Sequence, residues 1–206
     1  HFQNRLVLIA ESTQDAIEKL THKHNETLCI TSLHNGSVFT GTISNKRPKI
    51  AFLFAGEDST LMNLGWELYQ TQPTFKQAID ECNEIIKSLQ GTGNKDYNPI
   101  PNAQCPIPNS LFSIKYALYQ LWKSWGVNPD VVIAGGIGEY VAATVAGVFS
   151  LEDGLKLVEN IDKPNFEKVA NSIQYSSPQI EIVSGSGKLI DSEILNPQYW
   201  CKQVSQ

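Results

Sequence analysis

The sequence predicts an α/β fold with a short parallel sheet. Three apolar segments, at residues 49–54, 130–134 and 180–184, have the length and composition of buried strands. Two segments between the first and the second of them, 74–86 and 111–125, carry apolar residues at helical spacing. Because strands that alternate with helices usually pair in parallel, we expect a sheet with both faces covered.

Composition limits the classes of protein to which this chain can belong. Its 206 residues are enough for one sizeable core, and 41% hydrophobic with 18% charged residues is ordinary for a globular protein. A net charge of −5 without a basic run argues against a nucleic-acid partner, and no apolar run is long enough to predict a membrane span. Four widely spaced cysteines indicate a reduced, cytoplasmic protein: Cys29, Cys82, Cys105 and Cys201.

The first 47 residues predict a small α+β unit. Arg5 to Ala10 is a short apolar run that indicates a strand. Ser12 or Thr13 is then a candidate N-cap for a helix that continues to about His22.

A hairpin is predicted in the second half of this unit. Asn35-Gly36 is a turn signal between two β-prone runs, 27–32 and 37–43. The polar segment 44–48 marks a boundary, so we predict one unit at 1–47 and a second at 48–206.

The second unit begins with the 49–54 strand and continues with three predicted helices. A helix starts at about Asn63, Pro73 opens another, and a third covers 111–125 with Gly126 as its stop. The predicted buried stripes of the last two are Phe75, Ala78, Ile79, Cys82, Ile85 and Ile86, then Leu111, Ile114, Leu118, Leu121, Trp122 and Trp125. We expect the four tryptophans to serve the core, with Trp200 at a domain contact.

Shorter elements are predicted after the second strand. A helix is expected at 139–148, another opens at Ser150, and a third covers 165–173. The end of the chain, 196–200, is expected to be irregular.

The segment 130–151 is the centre of the functional prediction. An apolar strand, a glycine turn and a small-residue helix follow one another there, which is the arrangement of a nucleophile elbow. In that arrangement the turn residue presents its side chain at the end of a parallel sheet. The turn residue here is Gly136, so the elbow is predicted to lack a nucleophile.

These segments resemble malonyl-type acyltransferase domains of modular polyketide synthases and fatty acid synthases. KIAFLFAGEDS resembles the family's opening strand and loop, FLFTGQGSQ, and residues 111–158 resemble its central segment, which normally contains GHSxGEY. IEIVSGSGKLI and PQYW are similar to its late segment. RLVLIAESTQDAIEKL resembles the end of the linker that joins a ketosynthase to an acyltransferase. The resemblance implies a linker end at 1–47 and an α/β-hydrolase-like acyltransferase core at 48–206.

The sequence departs from the family at the positions that carry its chemistry. The resemblance places Gly136 at the serine, Gly135 at the preceding histidine and Glu57 at the glutamine of the first loop. A later catalytic histidine and a carboxylate-binding arginine have no counterpart. After Leu157-Val158, the sequence resembles a segment that lies about 100 residues further along in other members of the family. The resemblance therefore implies a truncated core without the ferredoxin-like small subdomain.

The residue inventory leads to the same expectation without the family. Every histidine lies within the first 34 residues, and arginine occurs only at Arg5 and Arg47. Acyl transfer through a covalent intermediate needs a nucleophile and a base, and loss of one triad member costs on the order of 10⁴ in rate. We therefore expect a non-catalytic domain without cofactor. It would be a spacer or docking surface for the ketosynthase and other domains, a carrier protein or a trans-acting acyltransferase.

Other readings of these residues are weaker. Glu57, Asp58 or a cysteine could support altered chemistry, such as acyl hydrolysis or decarboxylation at the old cleft. Two acids beside a helix start are more often caps than metal ligands, and the glycines at 135–138 lack the spacing of a phosphate loop. Glu139 and Tyr140 are expected to pack and cap the elbow helix. A zinc site is disfavoured by its spacing, although four candidates lie close in sequence: His22, His24, Cys29 and His34.

Overall fold

The computed structural model describes most of the chain as two compact units. Their bounds are His1–Pro48 and Lys49–Gln206. The described residues are 4–23, 38–42, 49–56, 64–90, 107–190 and 192–203.

The first unit contains an antiparallel strand pair and one helix among its described residues. Strand β1 is Asn4–Leu8, helix α1 is Thr13–Lys23 and strand β2 is Val38–Thr42. Ser12 caps α1, because its Oγ accepts a hydrogen bond from the backbone N–H of Asp15 at 3.1 Å. The described partner of β2 is β1, while the first arm of the predicted hairpin, 27–32, lies outside the described residues.

The described part of the second unit contains a four-stranded sheet. Strands β3 (Ala51–Phe54), β4 (Val131–Ala134) and β5 (Glu181–Ser184) are parallel neighbours, which confirms the three predicted strands. A two-residue strand that the sequence did not predict, β6 (Leu189–Ile190), pairs antiparallel with β5. The strand order is β3-β4-β5-β6.

Seven α-helices and one 3-10 helix, Ser192–Leu195, accompany this sheet in the described residues. Ser150 caps α6 as predicted, since its Oγ accepts from the Asp153 N–H at 3.1 Å. The helices are α2 (Leu64–Thr71), α3 (Pro73–Gln90), α4 (Ile107–Ser124), α5 (Ile137–Val145), α6 (Leu151–Glu159), α7 (Phe166–Ala170) and α8 (Pro197–Gln203).

Helix α8 corrects the prediction of an irregular end. Asn196 Oδ1 accepts from the Gln198 N–H at 3.0 Å, and Pro197 occupies the first position of the helix. Proline is favourable at that position because it has no N–H to leave unpaired. The capping asparagine and the proline therefore begin a helix in a segment whose short length hid its periodicity.

One face of the sheet is buried against helices. The side chains of Phe54, Val132, Ala134 and Ile182 join the main apolar cluster with residues of α4, α5, α6 and α8. Trp200 is fully buried in the same cluster and lies 4.8 Å from the ring of Tyr140, centroid to centroid. The prediction that Trp200 lies at a domain contact is therefore wrong. We call this side of the sheet the covered face.

The sequence predicted that both faces would be covered, but the other face is partly exposed. Leu53, Ile133, Val183 and Leu189 are paired in register across all four strands. Leu53 is 71% exposed and Leu189 is 54% exposed, whereas Ile133 and Val183 between them are partly buried. None of the four belongs to an apolar cluster of the described residues. The prediction failed because an apolar strand sequence does not reveal whether a second layer is present. We call these four residues the open face.

Three predicted core tryptophans are also exposed. Trp66 on α2 is 49% exposed, and Trp122 and Trp125 at the end of α4 are 46% and 57% exposed. Burial along α4 ends at Leu121, and the rings of Trp122 and Trp125 meet edge to face at 5.3 Å. The stripe of α3 is confirmed, with Ile85 only partly buried.

The connection between α6 and α7 is short. Six residues, 160–165, join the two helices, and the N–H of Phe166 donates to the carbonyl of Lys163 at 3.0 Å. The resemblance places the missing subdomain at this connection. The short connection therefore agrees with the prediction of a truncated core. In the described part of the chain, no helix has both the length and the apolar character needed to cross a bilayer.

Candidate functional site

The turn between β4 and α5 has the geometry of an elbow. Only Gly135 and Gly136 separate the strand from the helix. Gly136 has φ 54° and ψ −133°, a conformation that side chains rarely adopt. The N–H groups of Gly138 and Glu139 donate to the carbonyls of Gly135 and Gly136 at 3.1 and 3.0 Å. The strained turn is thus held by the first turn of α5.

Gly138 allows α5 to approach the end of β3. A Cβ atom at Gly138 would lie 2.0 Å from the carbonyl oxygen of Phe54, closer than any real contact. The N–H of Gly135 also donates to that oxygen, at 3.2 Å. A glycine is therefore required here by backbone packing, whatever the turn does chemically.

The elbow has room for a side chain at its tip. A Cβ atom at Gly136 would lie 3.4 Å from the Cα of Gly56, an ordinary van der Waals contact, and one at Gly135 would meet nothing within 4 Å. Gly136 is exposed. Steric space alone thus does not explain the two glycines.

Lys115 is a buried cation beside the elbow that the sequence analysis missed. It is 5% exposed on α4, and its ammonium donates to the carbonyls of Ala55 and Gly56. Gly56 lies against the elbow, since a Cβ atom on it would be 3.4 Å from the carbonyl oxygen of Gly135. Lys115 therefore fixes the backbone opposite the elbow. The sequence did contain a signal for this buried cation, because Lys115 interrupts the apolar stripe of α4.

Glu139 is the buried carboxyl nearest to the turn. It is 6% exposed, and Tyr199 of α8 donates its Oη–H to Glu139 Oε2 at 2.8 Å. Burial raises the pKa of Glu139, and the bond from Tyr199 partly opposes that shift. Tyr140 beside it is 3% exposed and packs on Trp200. Both residues pack the elbow helix against the covered face, as predicted. The predicted capping is not seen, because the N-cap Gly136 has no side-chain hydrogen bond and the Tyr140 hydroxyl has no partner in the described structure.

The predicted site residues are only partly within the described chain. Gly135 and Gly136 lie together at the elbow, whereas Glu57 and Asp58 lie outside the described residues. By sequence, residues 49–206 contain neither histidine nor arginine. His22 lies in α1, and the other zinc candidates fall outside the described residues. Within the described ranges, no three acidic, histidine or cysteine side chains converge as metal ligands.

The described cysteines are poorly suited to act as nucleophiles. Cys82 is fully buried in α3, and burial raises the pKa of its thiol to about 12. Burial also raises the pKa of the Cys201 thiol. Cys201 borders a surface groove of about 430 Å³ beside the α6–α7 connection, which contains none of the predicted site residues.

A protein-family model supports the resemblance. The model of the acyl transferase domain matches residues 51–163, which include β3, the elbow and α6. An orsellinic acid synthase of Armillaria mellea is 37% identical over 128 residues, which are 57% of this chain and 6% of the synthase. An orsellinic acid synthase of Armillaria ostoyae is 33% identical over 168 residues, 76% of this chain and 7% of that synthase. The chain thus spans less than a tenth of these curated relatives.

Solved structures show the same fold. The acyltransferase domain from the second module of the salinomycin polyketide synthase superposes with a TM-score of 0.73 at 20% identity. That match covers 98% of this chain and 66% of the salinomycin domain. The acyl transferase domain of ZmaA gives a TM-score of 0.68 at 19% identity, covering 99% of this chain and 78% of that domain.

Proposed function

Because this chain belongs to the acyl transferase domain family, we propose that it is a non-catalytic acyltransferase domain of a polyketide synthase. Its role would be that of a spacer or docking surface. The observation that carries the proposal is Gly136, which occupies the tip of a well-formed elbow without any side chain. The scaffold that positions a nucleophile is intact, whereas the nucleophile is absent.

The surroundings of the elbow support the proposal. A serine at such a turn attacks only when a base accepts its proton, and residues 49–206 contain no histidine. Recognition of a malonyl-type carboxylate is best served by the fork of an arginine, and this unit has none. Loss of nucleophile and base together leaves only binding and backbone donors to accelerate transfer.

The preserved packing supports a retained structural role. The elbow helix is fixed by Gly138 against β3, by Glu139 against Tyr199 and by Tyr140 against Trp200. Side chains buried this well specify a single fold. The partners would be the ketosynthase and other domains of the same synthase, a carrier protein or a trans-acting acyltransferase. The cytoplasmic location stays a prediction.

The alternative, altered chemistry at the old cleft, has less support. Burial raises the thiol pKa of both described cysteines, which disfavours a thiolate nucleophile. Glu139 has a raised pKa, but its carboxylate is already engaged by Tyr199. The acids named for this alternative, Glu57 and Asp58, lie outside the described residues.

Intact-protein mass spectrometry tests the proposal directly. The chain would be incubated with malonyl-, methylmalonyl- or acetyl-coenzyme A and a holo carrier protein. We expect no acyl adduct on the chain and no carrier loading above the rate without it. An active malonyl transferase serves as positive control. An adduct on the chain, or chain-dependent loading of the carrier, would refute the non-catalytic assignment.

A further inference from the structure

We propose that the groove beside the α6–α7 connection is the docking site of an arginine side chain, supplied by another segment of the synthase. The inference deepens the docking role proposed above and rests on it. We call this site the connection groove. It is lined by residues of the connection, of α7 and of α8, and its volume is about 430 Å³. This volume lies within the range of ligand sites, about 300–1,000 Å³.

The connection groove belongs to the truncated form of the domain. Three of its lining residues, Ile161, Asp162 and Lys163, lie in the six-residue connection 160–165. The resemblance places the small subdomain of other members at this connection. The short segment that forms this side of the groove is therefore particular to the truncated core, and the groove is distinct from the elbow.

The floor of the groove is apolar. Phe166 is 6% exposed and belongs to the main apolar cluster. Ile161 and Cys201 pack against that cluster and remain partly exposed. Because burial of apolar surface is favourable, such a floor binds the methylene stem of a long side chain.

The rim of the groove carries an excess of negative charge. Asp162 and Glu167 are exposed and have no ion-pair partner among the described residues. The lysine of the rim, Lys163, is neutralised by Glu159, whose Oε1 lies 2.9 Å from the ammonium. Burial raises the pKa of the Cys201 thiol and the charge of Glu167 raises it further, so this carboxylate acts on the groove.

An arginine combines the two properties that the groove requires. Its methylene stem can lie on the apolar floor while its guanidinium reaches the acidic rim. The guanidinium has five donors in a planar fork and is weakly hydrated, so it contacts carboxylates and apolar side chains together better than an ammonium does. An exposed ion pair is weak by itself, so we assign binding to the two carboxylates and the floor acting together.

The open rim favours a side chain of a polypeptide over a free small molecule. Asp162, Lys163 and Glu167 are exposed, whereas small-molecule sites enclose about 70–90% of the ligand surface. By sequence, residues 49–206 contain no arginine, so this unit cannot fill the groove with an arginine of its own. An arginine tethered within the same synthase has a raised effective concentration, which compensates for a small contact area.

NMR on the 206-residue chain tests the proposal. The probe is a short peptide with a central arginine between alanines, and the control peptide carries citrulline, which has nearly the same shape and no charge. We expect the arginine peptide to shift the methyl signals of Ile161 and the amide signals of Asp162 and Glu167, and to leave Ile182 of the covered face unshifted. The citrulline peptide should bind at least about threefold more weakly, and added salt should reduce this difference.

Two double variants give the matched comparison. Asp162→Asn with Glu167→Gln should weaken binding of the arginine peptide at least about threefold, whereas Glu81→Gln with Glu181→Gln should leave it nearly unchanged. Both pairs replace two exposed carboxylates by amides of the same shape, and only the first pair lines the groove. If the first pair fails to fold, each single variant replaces it, with an expected weakening of about twofold.

Several outcomes would overturn the proposal. These are no shift at up to about 20 mM peptide, equal binding of the citrulline peptide, equal effects of the two double variants, and shifts only outside the groove. A dimer that Asp162→Asn with Glu167→Gln dissolves, seen by sedimentation, would instead assign the groove to a second copy. The acyl-transfer assay on the same samples separates the two claims, because acyl transfer would refute the non-catalytic role alone and a failed peptide would refute the docking site alone.

Discussion

The two faces of the four-stranded sheet are alike in sequence and different in environment. The covered face presents Phe54, Val132 and Ile182 to helices, and each is at most 6% exposed. The open face presents Leu53, Ile133 and Val183 from the same strands, and Leu53 is 71% exposed. The comparison teaches that the apolar sequence of a strand does not by itself show which of its two faces is covered.

The elbow helix packs on the covered face, and at that contact it does not tolerate an added side-chain atom. Helix α5 rests on the end of β3, and its contacts continue through Tyr140 to Trp200. At the tip of the same turn, a Cβ atom on Gly136 would make only an ordinary van der Waals contact, with the Cα of Gly56. The packing of the elbow helix and the space at the tip of the turn therefore depend on different residues, Gly138 and Gly136.

The largest expected effect comes from Gly138→Ala, which would separate the elbow helix from the covered face. The new Cβ would lie 2.0 Å from the Phe54 carbonyl oxygen, so backbone must move. We expect a loss of about 3 kcal/mol or more in the free energy of unfolding, measured by denaturant titration. Gly135→Ala is the control, with an expected change below about 1 kcal/mol, because no atom is near its Cβ position. Equal effects of the two variants would contradict the packing argument.

Truncating one isoleucine on each face compares the faces directly. Ile182→Ala removes a side chain that is 1% exposed on the covered face, and should cost about 2–5 kcal/mol in unfolding free energy. Ile133→Ala makes the same change on the open face. It should cost at least about 1 kcal/mol less, because the Ile133 side chain is only partly buried in the folded protein. A covering layer in solution would show itself as equal losses.

Gly136→Ser tests the separation between scaffold and chemistry. The side chain fits, but a non-glycine residue at φ 54° and ψ −133° costs about 1–2 kcal/mol of stability. We expect a folded protein that still transfers no acyl group from malonyl-coenzyme A, because residues 49–206 contain no histidine to activate the serine. Gly126→Ser, at a positive φ after α4 and with no atom within 4 Å of the new Cβ, is the control for backbone strain. Transfer by the Gly136 variant would reveal an unrecognised base.

The smallest expected effect concerns the pH dependence of Glu139→Gln. The pKa of Glu139 is raised in the folded state, so the stability it contributes is fully present below its unfolded pKa of about 4.3 and is lost as pH rises through the folded pKa. The variant lacks this loss. The stability of the variant minus that of the wild type should therefore increase between pH 4 and pH 7, by denaturant titration at each pH. A decrease would mean that the bond from Tyr199 outweighs burial.

Periodicity was sufficient to predict most elements of the second unit. The stripe of α3 and the three parallel strands were predicted because their apolar spacing is regular. Helix α8 was missed because seven residues are too few to show a period, although Asn196 and Pro197 are good start signals. Strand β6 has two residues and forms only because the turn at Gly187 brings it beside β5.

Burial and side-chain partners were harder to predict than elements. The exposure of Leu53 and Trp122 depends on which layers surround the sheet and where α4 leaves the core, and neither is encoded locally. The elbow turn was predictable from its glycines. The hydrogen bonds from Lys115 to the loop after β3 were not, since they join residues about 60 apart in the chain.

The register of the sheet also determines when its strands can meet during synthesis. Ala51 pairs with Val131, 80 residues later in the chain. At roughly 5–20 residues per second, a ribosome needs about 4–16 s to make that interval. Throughout that time β3 lacks β4, its partner in the described sheet, and its apolar residues are open to contacts in the nascent chain. Translation speed and chaperone access should therefore affect the yield of folded domain during synthesis.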